Sequence, residues 1–461
     1  MKSTRAVVAL LGIACVLGVA LALAPVRASE EFRAASLTLP AEAALPFWPG
    51  EVIVQFRDGA DDTMVDRSVR ITGGQRARRS AHGRRYLVSL ADGLPVADAI
   101  DRFRSFPEVE YAEPNGVVRA FYQGTRVGRF TPNDRLFSSQ WHLRLLDAER
   151  TWGIQRGDAS VAIAVLDTGV AYEDFGRFRK APDFGDTVFL QGFNVFTRDA
   201  HANDDNFHGT HVASVIAEAT NNSVGVAGLA FGCSIVPVKV LDARGLGSFF
   251  VVAEGMDYAV NFTQGGQRPV KVINLSLGGD SNNQTMTNAV NRAVDAGITV
   301  VAAAGNEHAT TISFPAALSN VIAVGAVDGR KAKAPYSNTG SALDVMAYGG
   351  DLDRDDVGSE SGGPDGRPDG VLQQTFSPTT AANAGRFDDF AYFFVSGTSQ
   401  ATPQVAALAG LLYRQGITNP KAIQAAIEAT AEDLGAVGRD DTYGHGLIRP
   451  SVALSGLGIG R

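Results

Sequence analysis

The apolar residues of this chain recur with two spacings. Short, nearly unbroken runs, Val161-Ala-Ile-Ala-Val-Leu166, Ile235-Val-Pro-Val-Lys-Val-Leu241, Val270-Lys-Val-Ile-Asn-Leu275, Ile298-Thr-Val-Val-Ala-Ala-Ala304 and Val321-Ile-Ala-Val-Gly325, are bounded by turn residues and predict strands covered on both faces. Helices are expected near Phe249 to Phe262 and Asn283 to Ala296. Val405, Leu408, Ala409 and Leu412 fall at i, i+3, i+4 and i+7, the mark of a buried helical face. Strands alternating with helices from Asn133 onward predict an α/β domain, a doubly wound and mostly parallel sheet spanning 133–461. Pro237 and Pro269 argue against ideal pairing at their own positions.

Residues 50–120 read as a separate small α+β domain. Glu51–Phe56, Arg85–Leu90 and Val109–Pro114 alternate as strands, and Asp62–Thr72 and Val96–Phe106 have helical spacing. The run from Gln75 to Arg85 concentrates positive charge and is expected as a solvated loop open to nicking. Residues 29–49 and 121–132 read as linkers, the second as a processing junction.

The N-terminus changes the setting. Lys2 and Arg5 precede an apolar run from Ala6 to Ala24, and Val26-Arg-Ala28 fits a small-x-small cleavage pattern, so residues 1–28 are expected to be a secretory signal peptide. An uncleaved anchor is the alternative. Cys15 lies within this segment, so its removal leaves Cys233 as the one cysteine of an exported chain, and no intramolecular disulfide is expected. At 461 residues, 45% hydrophobic, 20% charged and a net charge of −8, the composition is that of a globular protein without the basic character of a nucleic-acid binder. No stable membrane association is expected of the exported product.

Candidate chemistry gathers at the ends of the predicted elements. Ser399 follows Ser396-Gly-Thr398 at the start of the apolar helix, where free backbone N–H groups and the helix dipole favour developing negative charge. It is either a helix cap or a nucleophile, and a serine nucleophile needs a base that is itself oriented by a third group. Asp167 ends an apolar strand at the edge where open α/β sheets place their sites, or is an ordinary turn aspartate. His208 and His211 open a second apolar segment, Asp204-Asp-Asn-Phe-His-Gly-Thr-His-Val-Ala213. Either is also readable as a core histidine, and the HxxH spacing lacks the glutamate of a zinc HExxH site. Asn306 after Gly305 is a turn residue or an amide aimed at an oxyanion.

Taken in order, D-T-G, H-G-T-H-V-A, A-A-G-N and G-T-S-x-A-T-P closely resemble the subtilisin-like serine proteases, from roughly Asn133 to Gly456. The resemblance implies Asp167 as orienting carboxylate, His208 as general base, Ser399 as nucleophile and Asn306 as oxyanion donor, with His211 structural. It also implies that Ser276, Leu277 and Gly278 pair with an extended polypeptide substrate and that Ala303, Ala304 and Gly305 form the other pocket wall. Small walls without an acidic residue lead us to expect large apolar side chains before the cleaved bond, although Glu307 stands close enough to reshape the pocket. V-I-V-Q-F and V-E-Y-A-E-P-N in the first domain resemble subtilase propeptides and imply an intramolecular inhibitor that keeps the enzyme a zymogen.

No cofactor is expected for catalysis, and structural Ca2+ is a possibility at two places. Thr220-Asn-Asn-Ser-Val-Gly-Val226 resembles the family's calcium loop and offers Asn222. The usual H-P-D-L element is replaced by Ala171-Tyr-Glu-Asp-Phe175, so Glu173, Asp174 or Asp183 would have to supply the missing carboxylate. Asp351, Asp353, Asp355 and Asp356 on a glycine-rich insertion also suit a hard cation, or are a solvated acidic loop. A lipase would want G-x-S-x-G, whereas Gly397-Thr-Ser-Gln-Ala401 ends in alanine, and an inactive peptide-binding scaffold is the remaining alternative.

Overall fold

The computed structural model describes residues 47–80, 83–116, 128–358 and 363–456. The predicted signal segment and most of both linkers lie outside them. The chain divides into two units, one through Arg126 and one from Val127.

The first unit is a four-stranded antiparallel sheet covered by two helices, with elements β1 (Phe47–Phe56), α1 (Asp62–Thr72), β2 (Gly74–Arg79), β3 (Arg85–Leu90), α2 (Val96–Arg104) and β4 (Val109–Gly116) in the order β2-β3-β1-β4. Val52, Val54, Phe56, Val88, Ala99 and Phe103 close its core, one face of the sheet against one face of each helix. The α1 start is capped by the Asp61 carboxylate on the Met64 N–H, and its end by Gly73 in the left-handed region. Two expectations change. The basic run forms strand β2, paired with β3 through Arg79 and Tyr86, because an edge strand leaves one side open to water and tolerates exposed arginines such as Arg78 and Arg79. Strand β1 begins at Phe47, where a bulge lets the chain pair with Gly116 before Gly50 is reached.

The second unit contains α3 (Trp141–Leu145), α4 (Ala148–Ile154), β5 (Ala162–Asp167), β6 (Phe193–Asn194), α5 (His208–Ala217), β7 (Ser234–Lys239), α6 (Phe249–Asn261), β8 (Val270–Leu275), α7 (Gln284–Asp295), β9 (Thr299–Ala303), β10 (Ile322–Val327) and β11 (Val345–Tyr348). Then follow β12 (Val371–Phe376), α8 (Pro378–Ala384), β13 (Phe390–Val395), α9 (Thr398–Arg414), α10 (Pro420–Thr430) and α11 (Pro450–Ser455). The seven-stranded sheet is parallel throughout, in the order β11-β10-β9-β8-β5-β7-β6. Every residue of β5, β7, β9 and β10 is buried, which is why these strands read as continuous apolar runs. Pro237 is accommodated because Ile235 and Lys239 bond the outer side, to Val188, Leu190 and Val195, and the missing N–H of Pro237 falls between those anchors.

From β5 the chain builds outward through β6 and β7, then returns to the other flank as β8. The direction of winding therefore changes at β5, and a crevice opens at its carboxyl end. Helix α9 is buried around nearly its whole circumference, so its N-terminus is held rigidly inside the domain. The antiparallel hairpin β12–β13 follows the acidic insertion and was not foreseen; Gln373, Gln374 and Thr375 are buried on it and engage neighbouring polar groups, so its pattern lacks apolar alternation.

Candidate active site

Asp167 closes β5 at the topological switch, and His208 opens α5 on the other side of the crevice. The Asp167 carboxylate is fully buried; its Oδ1 meets His208 Nδ1 at 2.7 Å and also accepts the Thr168 N–H at 2.7 Å. Burial alone would push the imidazole down, but the Asp167 charge and hydrogen bond outweigh it and raise His208 above the ordinary histidine value. The bond at Nδ1 leaves Nε2 as the basic position.

Ser399 is the second residue of α9. Its hydroxyl donates to the Ser276 carbonyl at 3.3 Å, and Ser276 Oγ donates back to the Ser399 carbonyl at 2.9 Å. Ser276, Leu277 and Gly278 line the same cleft as His208, a cavity of about 830 Å³. Leu241, Leu246, Phe249 and Phe250 supply apolar surface to it, and Arg244 a cation.

Asn306 follows the end of β9. Its Oδ1 accepts both the N–H and the hydroxyl of Thr398 at 2.9 Å, which turns Nδ2 away from Thr398 and leaves it without a protein partner among the described residues. Thr398 escaped sequence reasoning, although it stands in the G-T-S motif. His211 is buried, with Nε2 against the Phe393 carbonyl at 3.2 Å, and burial pushes it down to about 4. That environment suits a neutral core histidine.

The residues expected as the other wall lie at the end of β9. Ala303 and Ala304 are buried there, and the Ala304 carbonyl is taken by Ser313 and Asn338. Gly305 is walled in by Asn338, Ser313 and Glu307. A Cβ there would come within 2.6 Å of Glu307 Oε2, so an acidic group does stand at this wall, paired with Asn338 Nδ2 at 2.8 Å.

The four calcium candidates do not meet. Asp351 accepts the Asp353 N–H and pairs with Arg354, Asp353 is exposed, and Asp355 accepts the N–H groups of Asp365 and Gly366. Asn222 lies elsewhere, donating to Asp183 Oδ1 at 3.2 Å in a loop whose Asn221 and Asn222 N–H groups bind the Asp134 carboxylate. Glu173 instead engages His201 and Asn203. Burial, then the neighbouring Asp134 charge, push the Asp183 carboxyl up. Among the described residues, no three histidine, cysteine or carboxylate side chains cluster as a metal site would require.

The subtilase family model, peptidase S8, matches residues 158–446, and the fervidolysin N-terminal prodomain model matches residues 33–115. The chain is 34% identical over 396 residues to the thermophilic serine proteinase of Bacillus sp. strain AK1, covering 86% of this chain and 85% of the relative. It is 38% identical over 310 residues to thermitase of Thermoactinomyces vulgaris, covering 67% and 94%. A solved protease structure from Pseudoalteromonas arctica PAMC 21717 superposes with a TM-score of 0.60 at 30% identity, over 70% of this chain and 99% of the other. The chain belongs to the subtilase family of serine peptidases and carries a fervidolysin-type prodomain ahead of its peptidase domain.

Proposed function

We propose that the protein is a secreted serine endopeptidase made as a zymogen, working through Asp167, His208 and Ser399. The observation that carries this reading is the 2.7 Å Asp167–His208 hydrogen bond at the rim of a cleft that Ser276 shares, with the Ser399 hydroxyl resting against Ser276. His208 Nε2 takes the Ser399 proton as Oγ attacks the scissile carbonyl, while Asp167 fixes the tautomer and stabilises the imidazolium. Asn306 Nδ2 and the Ser399 N–H receive the oxyanion, the imidazolium protonates the leaving amine, and water hydrolyses the acyl-enzyme. An extended polypeptide lies along Ser276–Gly278, and the apolar cleft favours apolar side chains on it.

The first unit acts as chaperone and inhibitor of its own peptidase domain until the chain is cut within residues 121–132. Secretion rests on the signal-like pattern of residues 1–28. Among the described residues no helix is long and apolar enough to cross a membrane. For calcium, Asp183, Asn222 and Asp134 offer hard oxygen donors, two of them carboxylates that burial disfavours as uncompensated charges. A bound Ca2+ would supply that compensation and tie down the loop, with no part in the chemistry.

A fluorophosphonate tests the core of the reading. It should label Ser399 in the matured protein, leave Ser399→Ala unlabelled, and accompany casein hydrolysis; absence of labelling would indicate an inactive scaffold, and labelling with ester turnover but no turnover of any polypeptide would indicate an esterase.

A further inference from the structure

We propose that Asp204 is a positioning residue that holds His208 against Asp167 by tying the carboxyl end of β5 to the first turn of α5. This inference rests on the reading of His208 as general base. Asp204 is 1% exposed and its carboxylate accepts five hydrogen bonds. Oδ1 receives the Thr168 hydroxyl at 2.8 Å and the N–H groups of Asn206 and Phe207 at 2.9 and 3.1 Å. Oδ2 receives the Thr210 N–H at 2.9 Å and its hydroxyl at 2.6 Å.

Both hydroxyls have their proton direction imposed. Thr168 Oγ1 accepts the Gly209 N–H at 3.0 Å and Thr210 Oγ1 accepts the Ala171 N–H at 3.0 Å, so each must spend its own proton on Asp204. Thr168 directly follows Asp167, and Gly209 directly follows His208. The two chains, Gly209 to Thr168 to Asp204 and Ala171 to Thr210 to Asp204, therefore cross between the segments that carry the catalytic pair.

The same carboxylate satisfies backbone donors that a helix start leaves free, and it anchors Phe207, whose φ of 118° is strained for a residue with a side chain. Burial pulls the Asp204 carboxyl up, opposed by Thr210 and by Lys239. All five contacts donate to the carboxyl oxygens, the pattern that its ionised form accepts. The charges facing it are Lys239, whose Nζ binds the Thr168 carbonyl and Asp205 at 2.6 Å each, and the Asp167–His208 pair; the Asp204 charge adds to that of Asp167 in favouring protonated His208.

The test measures kcat per fluorophosphonate-labelled site and the pH profile of kcat/KM for the full chain after maturation. Asp204→Asn removes the charge and turns an amide toward Thr210. It is expected to lower kcat roughly 100-fold, as loosened positioning does, and to move the acidic limb to lower pH. Thr210→Val keeps the charge and the backbone donor but breaks one tie; it should lower kcat with the limb unmoved. A labelled, folded Asp204→Asn enzyme with wild-type kcat and limb overturns the proposal. If Asp204→Asn yields no folded protein, Thr210→Val decides: wild-type kcat with only a lower melting temperature overturns it. Failure of the triad reading is read separately, as activity retained by Ser399→Ala.

Discussion

Pro403 stands four residues after Ser399 inside α9, and the carbonyl of Ser399 that no Pro403 N–H can reach is bound instead by Ser276 Oγ at 2.9 Å. A helix ordinarily consumes that carbonyl. Here its release lets the backbone of the proposed nucleophile dock on the strand end that borders the cleft, with the Ser399 hydroxyl returning the contact. Ser276→Ala removes that partner from the carbonyl of half-buried Ser399. It should cost about 0.5–1.5 kcal/mol of stability and lower kcat/KM. Urea melts and peptide kinetics check this; unchanged values in both would remove Ser276 from the site's support.

Asn306 is held by its oxygen, which turns its nitrogen away from Thr398 and suits the oxyanion role proposed for it. Asn306→Ala should reduce kcat by roughly 100- to 1000-fold with a much smaller change in KM, since the donor acts where charge develops. Steady-state hydrolysis of a chromogenic peptide measures both parameters, and a loss confined to KM would assign Asn306 to ground-state binding.

A general base must be neutral to work, and His208, proposed in that role, is raised above the ordinary histidine value. Activity should therefore fall with acidification through a midpoint above the ordinary histidine value. Asp167→Asn should lose most of kcat by releasing the tautomer. A pH–rate profile whose acidic limb lies below 6.5 contradicts the electrostatics described here.

Stability has its own histidine dependence. His142 is fully buried with neither ring nitrogen hydrogen-bonded, and burial, aided by His211, pushes it down to about 3. The folded state keeps it neutral while the unfolded chain takes up a proton below 6.5, so stability present above that pH is lost as pH falls toward the folded value. His142 and His211 should each remove roughly 2 kcal/mol between pH 6.5 and 5. His142→Phe should flatten the dependence of melting temperature on pH over this range, and an unaltered slope would refute the assignment.

Calcium binding at Asp183 and Asn222 would make the melting temperature depend on the free ion. Chelation should lower it, added Ca2+ should restore it, and Asp183→Asn should abolish the response while the matching substitution at Asp355 leaves it intact. A response lost only with Asp355 would move the site to the acidic insertion.

Five strands of the parallel sheet, β5, β7, β8, β9 and β10, were legible because burial leaves continuous apolar runs, and α1, α6 and α7 because their caps and spacing are local; the short edge strands β6 and β11 were not. The β12–β13 hairpin was hidden because Gln373, Gln374 and Thr375 bury polar groups by bonding to partners distant in the chain. Glu307 was named from the sequence as a residue able to reshape the pocket, but its pairing with Asn338, 31 residues away, was not readable there. The acidic insertion looked like a cation site because spacing alone does not reveal that Asp351 and Asp355 are consumed by the loop's own N–H groups and Arg354.

The sequence by itself determined the fold class and the family and nominated the residues proposed for the chemistry, because each is written in a short motif at an element's end. Only the tertiary structure decided which groups meet. Asp167 reaches His208 across 41 residues, Asn306 reaches Thr398 across 92, and Ser276 reaches Ser399 across 123. Such contacts follow from strand order and from one proline's missing proton, and chain spacing does not encode them.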